Sequence, residues 1–200
     1  MKIGIVDYNA GNLTSVVSAI SHIGADYVVS SNHDVLLKCD KLLFPGVGEA
    51  SWAMKQLHIR GLEETLREFM ESGKPILGIC LGSQIVLDYS EEGNTQCLKL
   101  IPGNSRLFSK DMGLKIPHIG WNSVEHNGEG IFRGIPKDAS FYFVHSYYVD
   151  PSDSDSVIGR TNYGIDFCSA IKYKNLTAVQ FHPEKSGEIG LNLLRNFVEI

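Results

Sequence analysis

The chain has 200 residues, of which 43% are hydrophobic and 20% are charged, and its formal net charge is -5. This length fits one domain spanning residues 1–200, and the composition excludes a disordered chain. The acidic balance argues against nucleic acid as a partner. No apolar run approaches the ~20 residues that span a bilayer, and the N-terminus is a poor signal peptide. We therefore expect a cytoplasmic protein with no membrane partner.

The first half of the chain alternates strand and helix signals. Short apolar runs at residues 2–8, 27–31, 41–44 and 75–80 predict buried parallel strands. Apolar residues at helical spacing predict helices over 13–24, 62–73 and 83–92. This alternation predicts an α/β fold of the flavodoxin-like kind, with a doubly wound, mainly parallel sheet and helices on both faces.

The second half is different, because strand-like pieces separated by turn residues follow one another. They cover residues 98–108, 114–126, 140–150, 156–164, 167–175 and 176–186. We expect them to form an antiparallel extension of the same sheet. An amphipathic helix over 187–200, with Ile189, Leu191, Leu194 and Phe197 on one face, closes the predicted fold.

Cys80 lies in the sequence Gly-Ile-Cys-Leu-Gly, at the end of a predicted strand. Glycines on both sides permit a sharp strand-turn-helix elbow, and the helix N-terminus favours the reactive thiolate. A buried cysteine in a tight turn explains the same motif about equally well when it stands alone. Cys39, Cys97 and Cys168 are widely spaced, which argues against disulfides and zinc, and we expect them to be small buried residues.

Two further strand ends favour the nucleophile. The strand before His182-Pro183-Glu184 places an imidazole at its end, with a carboxylate close enough to orient the ring. Gly46 and Gly48, after the strand 41–44, free the backbone to point an N–H group at a developing oxyanion. Alone, the first pattern is more often an ordinary turn and the second a βα loop. Together with the elbow they predict a Cys-His-Glu nucleophilic site.

With these pieces in place, the sequence resembles the class I (triad) glutamine amidotransferases, and most closely the glutaminase subunits of imidazole glycerol phosphate synthases. The likeness covers essentially the whole chain. It is carried by the segments IGIVDYNAGN, LLFPGVG, GICLGSQ, SEEG, IPHIGWN, YFVHSYY and QFHPEKSG.

The resemblance implies a role for each matching residue. Cys80 would attack the side-chain amide of L-glutamine, His182 would transfer the proton and Glu184 would orient His182. The backbone N–H groups of Val47 and Leu81 would form the oxyanion hole. The residues that would bind glutamine are Gly48, Gln84, Glu92, His145, Ser146 and Tyr147. No cofactor and no metal is implied.

The resemblance also implies a partner, a (β/α)8 cyclase that forms a heterodimer with the glutaminase and receives its ammonia through a channel. The cyclase would make imidazole glycerol phosphate and an aminoimidazole carboxamide ribotide for histidine biosynthesis. The residues implied at or near the interface are Asn12, Trp121, Asn122, Tyr142 and Lys185. Trp and Tyr are favoured interface anchors, although core packing explains either one equally well.

Two departures from the family pattern keep a second function open. Ser83 stands where the family usually has methionine, for which we expect altered packing and intact chemistry, and residues 97–103 replace a glycine-rich segment. A paralogous glutaminase that supplies ammonia for amidination of a surface-polysaccharide sugar would look nearly the same. A non-catalytic docking module is disfavoured because Cys80, His182 and Glu184 are all present. A stand-alone cysteine hydrolase would have no need of the interface segments.

Overall fold

The computed structural model describes residues 1–9 and 13–200. The six helices within these ranges are α1 (Leu13–His22), α2 (His33–Leu37), α3 (Ala50–Ile59), α4 (Leu62–Glu71), α5 (Leu81–Ile85) and α6 (Gly187–Glu199). The strands of the first half are β1 (Ile3–Val6), β2 (Tyr27–Ser30), β3 (Lys41–Gly46), β4 (Ile76–Cys80), β5 (Tyr89–Ser90) and β6 (Thr95–Gln96). Those of the second half are β7 (Gly103–Leu107), β8 (His118–Ser123), β9 (Glu125–His126), β10 (Ser140–His145), β11 (Tyr147–Pro151), β12 (Val157–Asn162), β13 (Asp166–Tyr173) and β14 (Leu176–Val179).

The parallel half of the main sheet has the strand order β2-β1-β3-β4-β14. β14 enters from late in the chain and lies directly beside β4, with Val179 opposite Ile79. On the other side of β4, Gly46 of β3 lies opposite Cys80. The carboxyl ends of β3, β4 and β14 therefore meet at one edge, which is where ligands bind in parallel α/β sheets.

Beyond β14 the main sheet continues as β13-β11-β7-β5-β6, and β12 pairs with β13 and with β9. The pairings of β13 with β14, β11 with β13 and β7 with β11 are antiparallel. The predicted mainly parallel α/β sheet with an antiparallel extension is thus confirmed for these strands.

β8 and β10 do not join this sheet and form a separate antiparallel pair, which corrects the expectation that every late strand extends one sheet. The predicted strand 140–150 breaks at Ser146 into β10 and β11. The reason lies in the burial pattern of β10, where Phe141 and Phe143 are fully buried and Tyr142 faces outward. The Phe141 ring stacks on Phe181, with 4.1 Å between centroids, so the pair packs as a layer on the main sheet.

Alternation along the central strands divides the core into two clusters. Leu42 and Phe44 of β3 belong to one cluster and Leu43 to the other, as expected when successive side chains point to opposite faces. In α6 the buried side chains are those of Leu193, Leu194 and Phe197, whereas Ile189 and Leu191 are only partly buried. The helices α2 and α3 were not predicted. The helix predicted over 83–92 is wrong beyond Ile85, where α5 ends, because β5 follows at Tyr89–Ser90.

Candidate active site

Cys80 has the backbone conformation of a strained elbow. Its φ is 54° and its ψ is -111°, a region that residues with a Cβ rarely occupy. Such strain costs of the order of 1–3 kcal/mol and clusters at functional sites. Gly82 makes the turn possible, because a Cβ there would collide with the backbone carbonyl oxygen of Phe44 on β3. The close approach of α5 to β3 therefore requires glycine.

Two side chains fix the elbow around Cys80. Ser83, which is 1% exposed, donates from Oγ to the carbonyl oxygen of Cys80 at 2.7 Å. Gln180, which is fully buried at the end of β14, points its Nε2 at Cys80 Sγ at 3.9 Å. The departure at Ser83 thus has a structural role, since its hydroxyl stabilises the carbonyl of the strained residue.

His182 and Glu184 form a buried pair beside this elbow. His182 Nδ1 lies 2.7 Å from Glu184 Oε1, and the two side chains are 2% and 5% exposed. Burial lowers the pKa of His182, but the charge of Cys80 and the bond to Glu184 outweigh it and raise that pKa to about 10. The other ring nitrogen, Nε2, is buried and has no hydrogen-bond partner among the described residues. His182 is therefore held by its carboxylate and keeps one nitrogen free for chemistry.

A cavity of about 280 Å³ gathers most of the predicted site residues at this edge of the sheet. Besides Cys80 and His182, its lining includes every predicted oxyanion and glutamine-binding residue: Val47, Gly48, Leu81, Gln84, Glu92, His145, Ser146 and Tyr147. Pro117 and Val144 also line it and were not predicted. A larger cavity of about 620 Å³ lies among Arg67, Lys99 and Lys174, at the other end of the strands, and holds none of these groups.

The polar groups that line the cavity differ in which of their hydrogen-bonding atoms remain free to bind a ligand. Glu92 accepts from the backbone N–H of Ala50 at 2.8 Å, and burial raises the pKa of its carboxyl group despite that bond. Gln84 uses both amide hydrogens internally, toward the Tyr147 carbonyl at 2.9 Å and Gln180 Oε1 at 3.0 Å. His145 is bonded at both ring nitrogens, so its side chain has no free nitrogen for a substrate.

Besides Pro117 and Val144, three residues near the site were missed from the sequence. Gln180 has a weak signal, which is its place between the end of β14 and His182, two residues before the histidine. His118 bonds to His145 from β8, a contact across 27 residues that no local pattern indicates. Tyr8 is 1% exposed, and its Oη has no partner among the described residues. Burial, followed by the charge of Cys80, raises the pKa of Tyr8.

The predicted interface residues lie on one side of the site, apart from Asn12, which is outside the described residues. Trp121 is 59% exposed, and Tyr142 faces it across the β8–β10 pair, with ring centroids 6.2 Å apart. Lys185 is exposed on the turn that follows His182. Asn122 is half-buried and donates to the Asn162 carbonyl at 2.9 Å.

The remaining cysteines are buried and unpaired. Burial raises the pKa values of Cys39, Cys97 and Cys168, to about 12 for the last two. Within residues 1–9 and 13–200, no group of three or more His, Cys, Asp or Glu side chains is arranged to hold a metal ion. The helices in the same ranges are all too short or too polar to cross a membrane. A cytoplasmic location stays a prediction.

Comparisons with known proteins identify the family to which the chain belongs. The family model "Glutamine amidotransferase class-I" matches residues 4–200. "Imidazole glycerol phosphate synthase subunit HisH" of Maridesulfovibrio salexigens is 48% identical over 204 residues, covering 98% of this chain and 96% of that protein. The protein of the same name from Methanothermobacter thermautotrophicus is 48% identical, with coverage of 99% and 98%.

Solved structures share the fold at lower identity. A crystal structure of a glutamine amidotransferase has a TM-score of 0.78 at 18% identity, covering 98% of this chain and 97% of that one. PurLQS from Thermotoga maritima has a TM-score of 0.75 at 17% identity, covering 99% and 97%. The chain belongs to the class I glutamine amidotransferase family, in the group that contains these HisH subunits.

Proposed function

We propose that this chain is the glutaminase subunit of an imidazole glycerol phosphate synthase and acts in histidine biosynthesis. The observation that carries the chemistry is the strained Cys80 elbow beside the buried His182–Glu184 pair, in one cavity. Since the relatives at 48% identity bear the name of this synthase, the sugar-amidinating alternative is not favoured.

The reaction begins with attack of the Cys80 thiolate on the side-chain amide carbon of glutamine. The raised pKa of His182 keeps the thiol proton on the imidazole, so that it can be delivered to the departing nitrogen. The backbone N–H groups of Val47 and Leu81 stabilise the negative oxygen of the tetrahedral intermediate. Ammonia leaves, and a glutamyl thioester remains on Cys80.

Hydrolysis of the thioester completes the cycle. His182 takes a proton from water, the hydroxide equivalent attacks the thioester carbon, and glutamate leaves as the Cys80 thiolate re-forms. Glu184 stabilises the imidazolium in both halves of the reaction. The carboxylate of Glu92 faces the α-ammonium of the substrate. Backbone groups of Gly48, Ser146 and Tyr147, and the side-chain oxygen of Gln84, bind the rest of the amino acid.

The partner is a (β/α)8 cyclase that docks on the exposed face of β8 and β10. Trp121 and Tyr142 supply an aromatic anchor there, and Lys185 places a positive charge close to the His182 turn. Ammonia passes from the cavity to the cyclase and reacts with its ribulosyl substrate.

The test combines the purified chain with the cyclase and measures glutamate release and imidazole glycerol phosphate formation. Cys80→Ala should abolish both activities with glutamine, while ammonium salts at high pH still support the cyclase reaction. Cys97→Ala is the matched control, because it removes a buried thiol that does not line the cavity. Normal glutamine hydrolysis by Cys80→Ala would refute the nucleophile. Failure of the wild-type gene to restore growth of a histidine auxotroph lacking this subunit would refute the pathway.

A further inference from the structure

Two buried histidines join the outer strand β8 to the cavity by hydrogen bonds. His145 Nδ1 lies 2.7 Å from the backbone carbonyl oxygen of Tyr147, and His145 Nε2 lies 2.9 Å from His118 Nδ1. The other nitrogen of His118, Nε2, lies 3.3 Å from the amide nitrogen of Asn122. The two imidazoles are 3% and 5% exposed, so water does not compete for these bonds.

The partners at the two ends determine where every proton lies. A carbonyl oxygen only accepts, so His145 must carry its proton on Nδ1. Burial lowers the pKa of His145 to about 3 and that of His118 to about 4, so both rings are neutral at pH 7. His145 Nε2 is therefore an acceptor, His118 donates to it from Nδ1, and His118 Nε2 accepts from the Asn122 amide. Each bond thus has one donor and one acceptor.

The same chain of bonds continues to the nucleophile. The Tyr147 carbonyl that accepts from His145 also accepts from Gln84 Nε2 at 2.9 Å. The second hydrogen on Gln84 Nε2 goes to Gln180 Oε1 at 3.0 Å, and Gln180 Nε2 points at Cys80 Sγ at 3.9 Å. A displacement of Tyr147 would therefore move Gln84 and Gln180 together, and with them the group that contacts the sulfur.

Ring packing holds the two imidazoles in place. His118 lies between Tyr163 and Phe143, with centroid distances of 4.1 and 4.9 Å and interplanar angles of 26° and 28°. His145 lies against Phe108 and Phe167, at 5.3 and 5.2 Å. A ring confined on two sides cannot turn over without opening the core, so the direction of each bond is fixed by the fold.

We propose that His118 and His145 are positioning residues for glutamine hydrolysis, through which strand β8 holds Tyr147, Gln84 and Gln180 in register with Cys80. The inference rests on the glutaminase function proposed above. The series of hydrogen bonds starts at Asn122, which is next to the exposed Trp121 on the face proposed for the cyclase. A partner that shifts β8 would act on the nucleophile through these two rings.

The first test reads the protons directly and does not depend on activity. Long-range ¹H–¹⁵N spectra of the ¹⁵N-histidine-labelled chain at pH 7 should show His118 and His145 as neutral tautomers protonated at Nδ1. Histidine→phenylalanine variants at each position assign the signals. Because free histidine prefers the Nε2–H form, an Nε2–H or charged form at either residue would overturn the proposed order of donors and acceptors.

The second test separates hydrogen bonding from packing at His118. His118→Phe keeps a ring between Tyr163 and Phe143 but removes both bonds. In His118→Asn the amide nitrogen is two bonds from Cβ, as Nδ1 is, so the donor to His145 remains while the ring is lost. His126→Phe is the matched control. His126 is also buried and bonded at both ring nitrogens, to Pro136 and Gly128, but it has no hydrogen bond to the series that runs from His118 to Gln180.

Glutamate release is measured with the cyclase present, along with the rate of Cys80 alkylation by iodoacetamide. His118→Phe should lower kcat about tenfold with little change in KM, because one net hydrogen bond no longer orients the site. His118→Phe should also change the rate of Cys80 alkylation. His118→Asn should recover most of kcat, although the asparagine side chain packs less well than a ring. The proposal would be refuted if kcat fell equally in both His118 variants, or if it fell as much in His126→Phe as in His118→Phe. Either result would show that His118 has a purely structural role. A wild-type complex that releases no glutamate would instead refute the glutaminase function.

Discussion

Replacing Glu184 with glutamine removes one charge from the site and puts an amide NH2 at the position of Oε2, which is buried and has no hydrogen-bond partner among the described residues. The carboxylate bonds to His182 Nδ1 at 2.7 Å in a pair that is almost fully buried. The amide side chain of the Glu184→Gln variant would keep an oxygen in the same place, so the hydrogen bond survives as a neutral one. The variant therefore measures what the negative charge contributes to holding a protonated imidazole beside Cys80.

The magnitude follows from the difference between a charge-assisted and a neutral bond. Such bonds contribute about 1.5–3 and about 0.5–1.5 kcal/mol respectively, so the charge accounts for about 1–2 kcal/mol. We expect kcat for glutamine hydrolysis to fall about tenfold, since each 1.36 kcal/mol is a factor of ten in rate. Loss of the carboxylate also lowers the pKa of His182.

The pH dependence of stability gives an independent measurement. In the wild type the pKa of His182 rises from its ordinary value of 6.5 to about 10, so proton uptake stabilises the fold fully below pH 6.5. This contribution disappears as the pH rises through about 10. The free energy of unfolding in urea should therefore differ between wild type and Glu184→Gln by its full amount at pH 6.5, and the difference should shrink as the pH rises toward 10.

The matched control is Glu188→Gln, in the first turn of α6. Glu188 also pairs with a cation, Arg195, but it is exposed, so its loss should leave kcat unchanged. An unchanged kcat in Glu184→Gln, with the same pH profile of stability as the wild type, would remove Glu184 from the catalytic triad. Equal losses in both variants would show that the assay reports general damage.

Three further substitutions test the packing of the site and the sheet. Gly82→Ala should destabilise the fold by more than about 2 kcal/mol in urea unfolding, because the new methyl group meets the Phe44 carbonyl; Ser83→Ala, at the next position, should cost less. Lys41→Met should cost about 3 kcal/mol, because Nζ donates to the carbonyls of Phe197, Val198 and Ile200 at the end of α6. Tyr8→Phe should raise the free energy of unfolding by about 1 kcal/mol, because it removes a buried hydroxyl that has no partner among residues 1–9 and 13–200; a loss of stability would mean that the hydroxyl is bonded.

The triad residues could be predicted because each stands at the end of a strand with its own local signal. The glycines around Cys80, the His-Pro-Glu turn and the glycine loop after β3 are all visible in short windows. The order of strands in a parallel sheet then brings their ends together. The α3 helix was missed because its apolar residues do not share one face: Ala50, Ala53 and Leu57 are buried, whereas Trp52 and Ile59 are exposed.

Gln84 and His145 were predicted as glutamine-binding residues, but the hydrogen bonds by which they support the triad could not be predicted, because these bonds join residues that are distant in sequence. Gln84 and Gln180 are 96 residues apart in sequence, and His118 and His145 are 27 apart. Each residue is a plausible surface polar group when its own window is considered alone. Only the pairing of β8 with β10, as a layer separate from the main sheet, places the two histidines within bonding distance.

The register of β3, β4 and β14 explains why the strained elbow can persist. Cys80 is paired on one side with Gly46, and β14 fixes the other side of β4 through Val179 opposite Ile79. The free-energy penalty of a positive φ exceeds the stabilisation from one ordinary surface contact, so several contacts must hold the residue in this conformation. Here three features impose the same conformation on Cys80. They are the strand pairing on both sides of β4, the hydrogen bond from the Ser83 hydroxyl to the Cys80 carbonyl, and the close contact of Gly82 with β3. Relaxing the elbow would break several of these at once, and this keeps the sulfur facing the cavity.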